Sequence, residues 1–383
     1  MKNSDEARHI VIVGAGIIGS SIAFHLTSRG ANVTLLDAAE PGQGASAVSF
    51  AWLNSGFKRP RHYHDLNHRS MDMWDRLIRR LGGDVGITWG GELNWAATEE
   101  GAAQLTERAK ILQSWGYPSR LLTEAEFKQI EPDLATGPIY AASLNEIDGH
   151  VETGTLIQRA IARSVEQGLR LKTKTRLTGV QLKSVEDGRQ VTESIQTDAG
   201  QILCDVLVFA GGPDSPELAS LVGINLPLSH TFGCNIVTEP IDRIFRQSSS
   251  VHTPSDLEMQ IGLRQWPNGS VMVHGGLSNG HESYGRTDEA IQEIMKTAIS
   301  FVPALEGVPV KEVRRGRRPI PEDGLPILGF TEAIPNLYLA TMHSGVTLAA
   351  IVGLFSMIEI LDQTRVDILE PYRLERFADQ PTI

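Results

Sequence analysis

Apolar positions along this chain follow two rhythms, and the places where one gives way to the other mark its elements. Residues 10–13 form a β-branched run that ends at Gly14-Ala15-Gly16, after which apolar residues recur at helical spacing past Gly19. Strand, tight turn and helix are predicted there, and residues 33–36 predict a second strand ending on Asp37. Residues 41–46 read as a glycine-rich turn leading into a small-residue segment, 45–51, of helical character. The spacing of Leu66, Met73, Trp74 and Leu77 makes residues 61–81 a single helix. Between Gly82 and Tyr140 a short strand, 91–95, alternates with helices at 99–115 and 123–130, the second capped by Thr123 with Glu126 three residues on. Nothing in that stretch suggests chemistry.

A helix over 153–167 and a strand over 170–174 follow, and 179–201 reads as a hairpin or meander with an exposed turn at Asp187-Gly188. Residues 205–214, DVLVFAGGPD, lack polar alternation, which predicts a parallel strand buried on both faces and ending in a glycine pair. From Leu226 to about Arg318 the rhythm alternates instead, with strands at 234–239, 260–264 and 270–274, a Pro267-Asn268-Gly269 turn and one helix at 287–301. An antiparallel sheet, the wall of a substrate pocket, is predicted. Residues 337–340 predict a strand, and MHSGVTLAAIVG a glycine turn and helix starting at Ser344 or Gly345. The apolar run 348–361 contains Gly353, Ser356 and Glu359 and is too short for a comfortable membrane span, so a buried helix is expected.

Chemistry enters at the first turn. Gly14 permits the bend, Gly16 lets backbone N–H groups approach a pyrophosphate, and Gly19 lets the helix pack closely on the strand. Asp37, about 20 residues on, can accept hydrogen bonds from both ribose hydroxyls and would repel a 2′-phosphate, which disfavours NADP. The strand before, the helix after and the acid at this distance set the site apart from an ordinary glycine-rich turn. Trp52, Leu53 and Asn54 are expected close to the ligand.

Composition narrows the partners. With 35 Lys and Arg against 46 Asp and Glu, the net charge of −11 argues against nucleic acid or an anionic membrane surface as the main partner. The length allows two domains or a few. Cys204 and Cys234 are far apart and in no CxxC pair, so neither a disulfide framework nor a zinc site is indicated and a cytoplasmic setting is the default. The opening MKNSDEARH lacks the apolar stretch of a signal peptide. His64 and His68 share a helix face, but no carboxylate completes a ligand set and no metal is expected.

The second strand, glycine turn and helix near the C-terminus discriminates between dinucleotides. A reduced flavin carries negative charge at its N1–C2=O edge, which a helix N-terminus stabilises, whereas a nicotinamide dinucleotide needs only the first helix. The blocks GAGIIGS, GQGAS, DGHVE, VLVFAGGPDSPELA, RRPIPEDGLPILG and YLATMHSGVTLA, in this order along nearly the whole chain, resemble the D-amino-acid oxidase, glycine oxidase and sarcosine oxidase family of FAD enzymes. The resemblance implies an α/β fold. A Rossmann-like FAD-binding domain, discontinuous over 1–85, 146–222 and 320–383, joins a substrate domain with a large antiparallel sheet over 86–145 and 223–319. Expected FAD contacts are Gly14, Ala15, Gly16, Ile17, Ile18, Gly19 and Asp37, then Gln43, Gly44, Ala45 and Ser46, then Ala210, Gly211 and Gly212, and finally Ser344, Gly345, Val346 and Thr347.

By the same resemblance Arg318 clamps a substrate carboxylate and His343 is a pocket residue beside the flavin. The other reading makes Arg314, Arg315, Arg317 and Arg318 a basic strand paired with surface acids, and His343 a helix-cap histidine. Trp52, Gln260 and Met272 are weaker candidates for substrate contact. Gln260 falls where glycine oxidases have a pocket tyrosine, and Met272 where sarcosine oxidases have a lysine. Val48 follows the GQGAS turn in place of histidine, and no cysteine lies near 314–324, so non-covalent FAD is expected. The implied reaction is FAD-dependent oxidation of the C–N bond of an amino acid or N-substituted glycine. Hydride passes to flavin N5 and the imine hydrolyses, with oxygen or another acceptor taking the electrons. A homo-oligomer is compatible with this reading. An electron-relaying flavoprotein component of a dehydrogenase complex and a tRNA-modifying FAD oxidoreductase are the alternatives, the second disfavoured by the acidic balance.

Overall fold

The β-branched run at the start of the chain lies inside a six-stranded sheet in the computed structural model, which describes residues 8–378 apart from 57, 187 and 278–286. Asp187 and the first seven residues, on which two of the expectations above fall, thus lie outside the described residues. The sheet comprises β1 (His9–Val13), β2 (Asn32–Leu36), β9 (Arg170–Lys172), β13 (Val206–Phe209), β19 (Ile327–Phe330) and β20 (Leu337–Thr341) in the order β19-β20-β13-β1-β2-β9. All neighbours are parallel except β19, which runs against β20. Because side chains alternate across a strand, Ile10 and Ile12 face one core and Val11 and Val13 another. The first core lies under α1 (Ile17–Thr27), α6 (Thr153–Glu166) and α9 (Gly345–Asp362). The second lies under the sheet β10 (Leu177–Ser184), β11 (Gln190–Thr197), β12 (Gly200–Leu203) and the short α7 (Ser215–Ser220).

Helix α9 is apolar enough to cross a membrane by length and composition, but most of it is buried inside the fold against α1. Ser21 Oγ donates to the Ala349 carbonyl at 2.6 Å, and Gly353 makes the approach possible, since a Cβ there would sit 2.2 Å from Ser21 Oγ.

The second large sheet has eight strands in the order β18-β14-β17-β16-β15-β5-β7-β6. These are β5 (Glu92–Ala96), β6 (Ser119–Leu122), β7 (Ala141–Asn145), β14 (Leu228–Thr238), β15 (Ser250–His252), β16 (Met259–Gln265), β17 (Val271–Leu277) and β18 (Val310–Pro321). Only the β15–β5 pair is parallel. Leu93, Val251, Ile261, Leu263, Val273 and Ile236 form one apolar face, packed with Phe127 of α5 (Glu124–Ile130) and Ile294 of α8 (Asp288–Phe301). The alternate positions form the opposite face and are largely polar: Glu92, Asn94, His252, Gln260, Arg264, His274, Asn235, Arg314 and Arg318. A small sheet of β3 (Trp52–Leu53), β4 (Ile87–Trp89) and β8 (Gly149–Val151) completes the strands. The remaining long helix, α4 (Glu99–Ser114), packs on β5, β6 and β7.

Two expectations need correction. Residues 61–81 form two helices, α2 (Arg61–Asp72) and α3 (Trp74–Leu81), that meet at Met73. Ser70 Oγ and Trp74 Nε1 on either side both donate to the Thr347 carbonyl, at 2.6 and 3.1 Å, so docking on α9 decides the break. Residues 45–51 are turns and extended chain, not helix. Their polar groups are engaged elsewhere: Ser46 Oγ accepts from the Ile17 N–H at 3.1 Å, and the Val48 carbonyl accepts from Asn235 Nδ2. The capping box at Thr123 and Glu126 forms as its spacing predicts.

His25 on α1 is buried beside Arg80, whose Nη1 lies 3.1 Å from its Nδ1. Burial, with help from Arg80 and Arg76, pushes its pKa down to about 3. Between the unfolded value of about 6.5 and that folded value only the unfolded chain takes up the proton. Stability is therefore full above that range and falls as pH drops through it. Urea midpoints should decline from pH 7 to pH 4, with a shallower decline in His25→Gln; equal declines would refute the assignment.

Candidate active site

The turn after β1 brings three segments within contact. A Cβ on Gly14 would lie 2.3 Å from the Ala210 carbonyl oxygen, and one on Gly19 would lie 1.9 Å from the Gly14 carbonyl oxygen. Only glycines allow β1, α1 and the end of β13 to come this close, and Gly14 also has φ +107°. At the end of β2, Asp37 accepts from the Ala15 N–H at 2.7 Å and the Ala39 N–H at 2.8 Å, one on each carboxylate oxygen. The carboxylate is thereby oriented beside the helix start. Gln43 and Gly44 are exposed, Ala45 is half-buried, and Ser46 is buried against Gly16 and Ile17. Gly212 has φ +57° and open space around it.

The start of α9 lies beside the start of α1, where a Cβ on Gly345 would meet Ile18 Cγ1 at 3.4 Å. Neither helix has a side-chain cap from its N-cap residue, Gly16 or Ser344. Two sets of first-turn N–H groups, with the positive ends of two dipoles, thus converge on one region. Around α9 the side chains serve packing: Ser344 Oγ accepts from Tyr63 at 2.8 Å, Val346 is buried, and Thr347 Oγ1 donates to the Trp52 carbonyl at 3.1 Å.

His343 occupies the turn between β20 and α9, where it meets the polar face of the eight-stranded sheet. It is open to solvent although protein groups crowd around it. Burial and the charges of Lys58, Arg318 and His274 push its pKa down to about 3. His274, with Nδ1 2.9 Å from Asn235 Oδ1, is pushed down to about 4 by burial, Arg318 among its neighbours. Both imidazoles are neutral near pH 7.

The arginines of β18 divide by parity. Arg315 faces Asp288 at 4.0 Å, and Arg317 pairs with Asp214 and with Glu217 at 3.4 Å. Arg314 turns to the inner side and pairs with Glu312 at 2.5 Å, lying over Trp266. Arg318, on the inner side too, lies over Gly233 and makes no hydrogen bond or ion pair with a described residue. Burial pushes its pKa down.

Deeper in, Glu92 is fully buried, with Oε1 2.9 Å from His252 Nδ1 and Oε2 accepting from Asn145 at 2.7 Å. Burial alone would raise its pKa, and His252 overrides that and lowers it. Asp148, also buried, accepts from Trp52 Nε1 at 3.1 Å and from the Tyr117 hydroxyl. Burial and the nearby Glu92 charge hold its carboxyl well above the usual range. Trp52 stacks on His252 at 4.6 Å. Gln260 donates to the Thr253 carbonyl and lines a separate small cavity of about 130 Å³ with Arg108 and Asp256. Met272 is fully buried with Val237 and Trp266, on the same face as His274. His64 bonds Ser55, and no cluster able to hold a metal occurs among the described residues.

The profile of the DAO family, FAD dependent oxidoreductase, matches residues 9–355. The chain belongs to this family of FAD-dependent oxidoreductases. It is 26% identical to one component of the opine oxidase of Agrobacterium tumefaciens (strain Ach5), over 98% of this chain and 99% of that protein. It is also 26% identical to glycine oxidase of Geobacillus kaustophilus, over 96% of each. The crystal structure of the Geobacillus kaustophilus glycine oxidase superposes with a TM-score of 0.84 at 22% identity, over 97% of this chain and 99% of that one. The α/β fold with its large antiparallel sheet is therefore the family's.

The residues present fit FAD. A tethered carboxylate at the end of β2 suits a ribose, and two helix starts not capped by their own N-cap residues suit groups that carry negative charge. Lys58, His274, His252, Glu92 and Asp148 are residues of this region that local pattern does not single out. For Glu92 a signal exists, since it is the one acid in the short strand ELNWA. Gly19→Val should yield protein with little flavin absorbance near 450 nm and a lowered melting temperature. Gly154→Ala, in open space on α6, should retain both; a fully yellow Gly19→Val protein would overturn the cradle.

Proposed function

We propose that this oxidoreductase removes two electrons from the carbon–nitrogen bond of an amino acid or N-substituted glycine. The observation that carries the reading is Arg318, a half-buried guanidinium with no acid beside it among the described residues, while its three neighbouring arginines each have one. Partial burial costs this charge part of its solvation. A ligand carboxylate offsets that cost with two parallel, charge-assisted hydrogen bonds and fixes the substrate's orientation as a lysine would not.

In this reading FAD is held by residues 14–19, Asp37, 43–46, 210–212 and 344–347, and supplies the two-electron acceptor. Residues 1–85, 146–222 and 320–383 form the FAD-binding part, and 86–145 with 223–319 the substrate part. Arg318 anchors the carboxylate. His343, neutral through burial and the cations around it, accepts a hydrogen bond from the substrate amine, while those cations favour the amine's unprotonated form. Trp52 and Phe50, which packs at 5.7 Å from His252, wall off water on one side. Acceleration comes chiefly from holding the reacting groups together and from the dipole of α9. The resulting imine hydrolyses to a 2-oxo acid, or to glyoxylate and an amine.

Anaerobic mixing of the purified protein with glycine, sarcosine, proline and D-amino acids, followed by flavin bleaching, tests the reaction. Arg318→Ala should raise KM for the responsive substrate by an equivalent of about 2–4 kcal/mol, roughly 30- to 1,000-fold. Unchanged kinetics would remove Arg318 from the site, and bleaching by none of the amines would sink the reaction class.

A further inference from the structure

The amine of an amino acid is an ammonium near pH 7 and must shed a proton before its nitrogen can share an electron pair with carbon. His343 and His274 cannot keep that proton, because burial pushes their pKa values down to about 3 and about 4. A third imidazole on the polar face of the large sheet, His252, differs from them in having a carboxylate: Glu92 Oε1 stands 2.9 Å from its Nδ1.

His252 and His274 belong to one row. Asn94, His252, Gly262, His274 and Asn235 stand side by side across five neighbouring strands, so their positions share a face. Gly262 separates the two imidazoles and makes room for one of them, since a Cβ there would lie 2.7 Å from His252 Nε2. Phe50 packs on both rings, its centroid 5.7 Å from His252 and 5.9 Å from His274. His274 Nδ1 meets Asn235 Oδ1 at 2.9 Å, and two residues along that strand a Cβ on Gly233 would lie 2.9 Å from Arg318 Nε. Contacts thus lead along the face from the carboxylate anchor to His252. On its other side Trp52 stacks on the ring at 4.6 Å, and the Trp52 carbonyl accepts from Thr347 Oγ1 in the first turn of α9.

Two lone pairs cannot face each other at 2.9 Å, so Nδ1 carries its proton toward Glu92 and Nε2 presents a lone pair over Gly262. Glu92 is fully enclosed, whereas 10% of the His252 side chain stays open. We propose that His252 takes the proton of the substrate ammonium at Nε2, with Glu92 as the positioning residue behind it. This role rests on the C–N oxidation proposed above. As the N–H bond breaks the nitrogen keeps the electron pair, and that pair forms the C=N bond while hydride leaves the carbon for the two-electron acceptor, FAD. His252 holds the proton as an imidazolium against the Glu92 carboxylate and passes it to solvent after turnover. The surrounding groups leave this part to the pair. Asp148 is engaged by Trp52 and Tyr117, and Arg264, over Phe50 at 5.5 Å, pairs with Glu152 at 3.7 Å. The charge of Arg108 on α4 bears on Glu92, and Lys58, with a pKa lowered by burial to about 8, is already protonated at pH 7.

The test is the pH dependence of kcat/KM for the responsive amine, from pH 7 upward, in FAD-loaded protein. His252→Gln should lose roughly 100-fold or more at pH 7, as a positioned base contributes. Most of that loss should be recovered as pH rises past the amine's own pKa, where solution supplies the free amine. Glu92→Gln keeps partners for Nδ1 and Asn145 but removes the charge, and should show a smaller loss with the same recovery. Flavin absorbance and melting temperature confirm that each variant is folded and loaded. A loss equal at every pH in both variants, or no loss at pH 7, overturns the base and leaves the oxidation standing. Absence of bleaching by any amine at any pH in the unmodified protein overturns the oxidation itself.

Discussion

The packing of α1 against α9 is the constraint on which the rest depends. These helices begin more than three hundred residues apart, yet Ser21 reaches the Ala349 carbonyl and Gly353 gives way to Ser21 and His25. With the helices side by side, Gly345 meets Ile18, so both N-termini open on one region. Each N-terminus brings unsatisfied N–H groups and a partial positive charge. A nucleotide with a pyrophosphate and an electron-accepting ring that turns anionic is the ligand such a pair suits.

The eight-stranded sheet meets this frame with its polar face, an outcome of simple alternation. Alternate residues of its strands, Leu93 and Trp95, Cys234 and Ile236, Val251, Ile261 and Leu263, Val271 and Val273, are buried in the core with α5 and α8, and the residues between point the other way. Charges placed there cannot all be solvated, and the fold satisfies most of them pairwise: Glu92 with His252, Arg264 with Glu152 at 3.7 Å, Arg314 with Glu312. Against this regularity Arg318 stands out, because burial acts on it with no acid beside it among the described residues. His343 and His274 stay neutral because burial disfavours the charged imidazole and the charge of Arg318 adds to that.

Much of the fold was legible in local pattern. The unbroken β-branched run of β1, the apolar strand β13 before its glycine pair, the capping box of α5 and the alternation of β16 and β17 each arise from short-range physics. Where tertiary contacts competed, local pattern misled. The helical rhythm of 61–81 gave way at Met73 to two hydrogen bonds onto Thr347, and residues 45–51 surrendered helix to ties with Ile17 and Asn235.

The sequence by itself determined the glycine turn, the acid at the end of β2, the second helix start and the family to which they belong, because each depends on residues near one another in the chain. Only the tertiary structure decided which of four clustered arginines lacks an acid among the described residues, and that its charge and that of Lys58 both bear on His343. Charge compensation is set by distance through space, and the partners of these side chains come from strands and loops that the chain connects only by long detours.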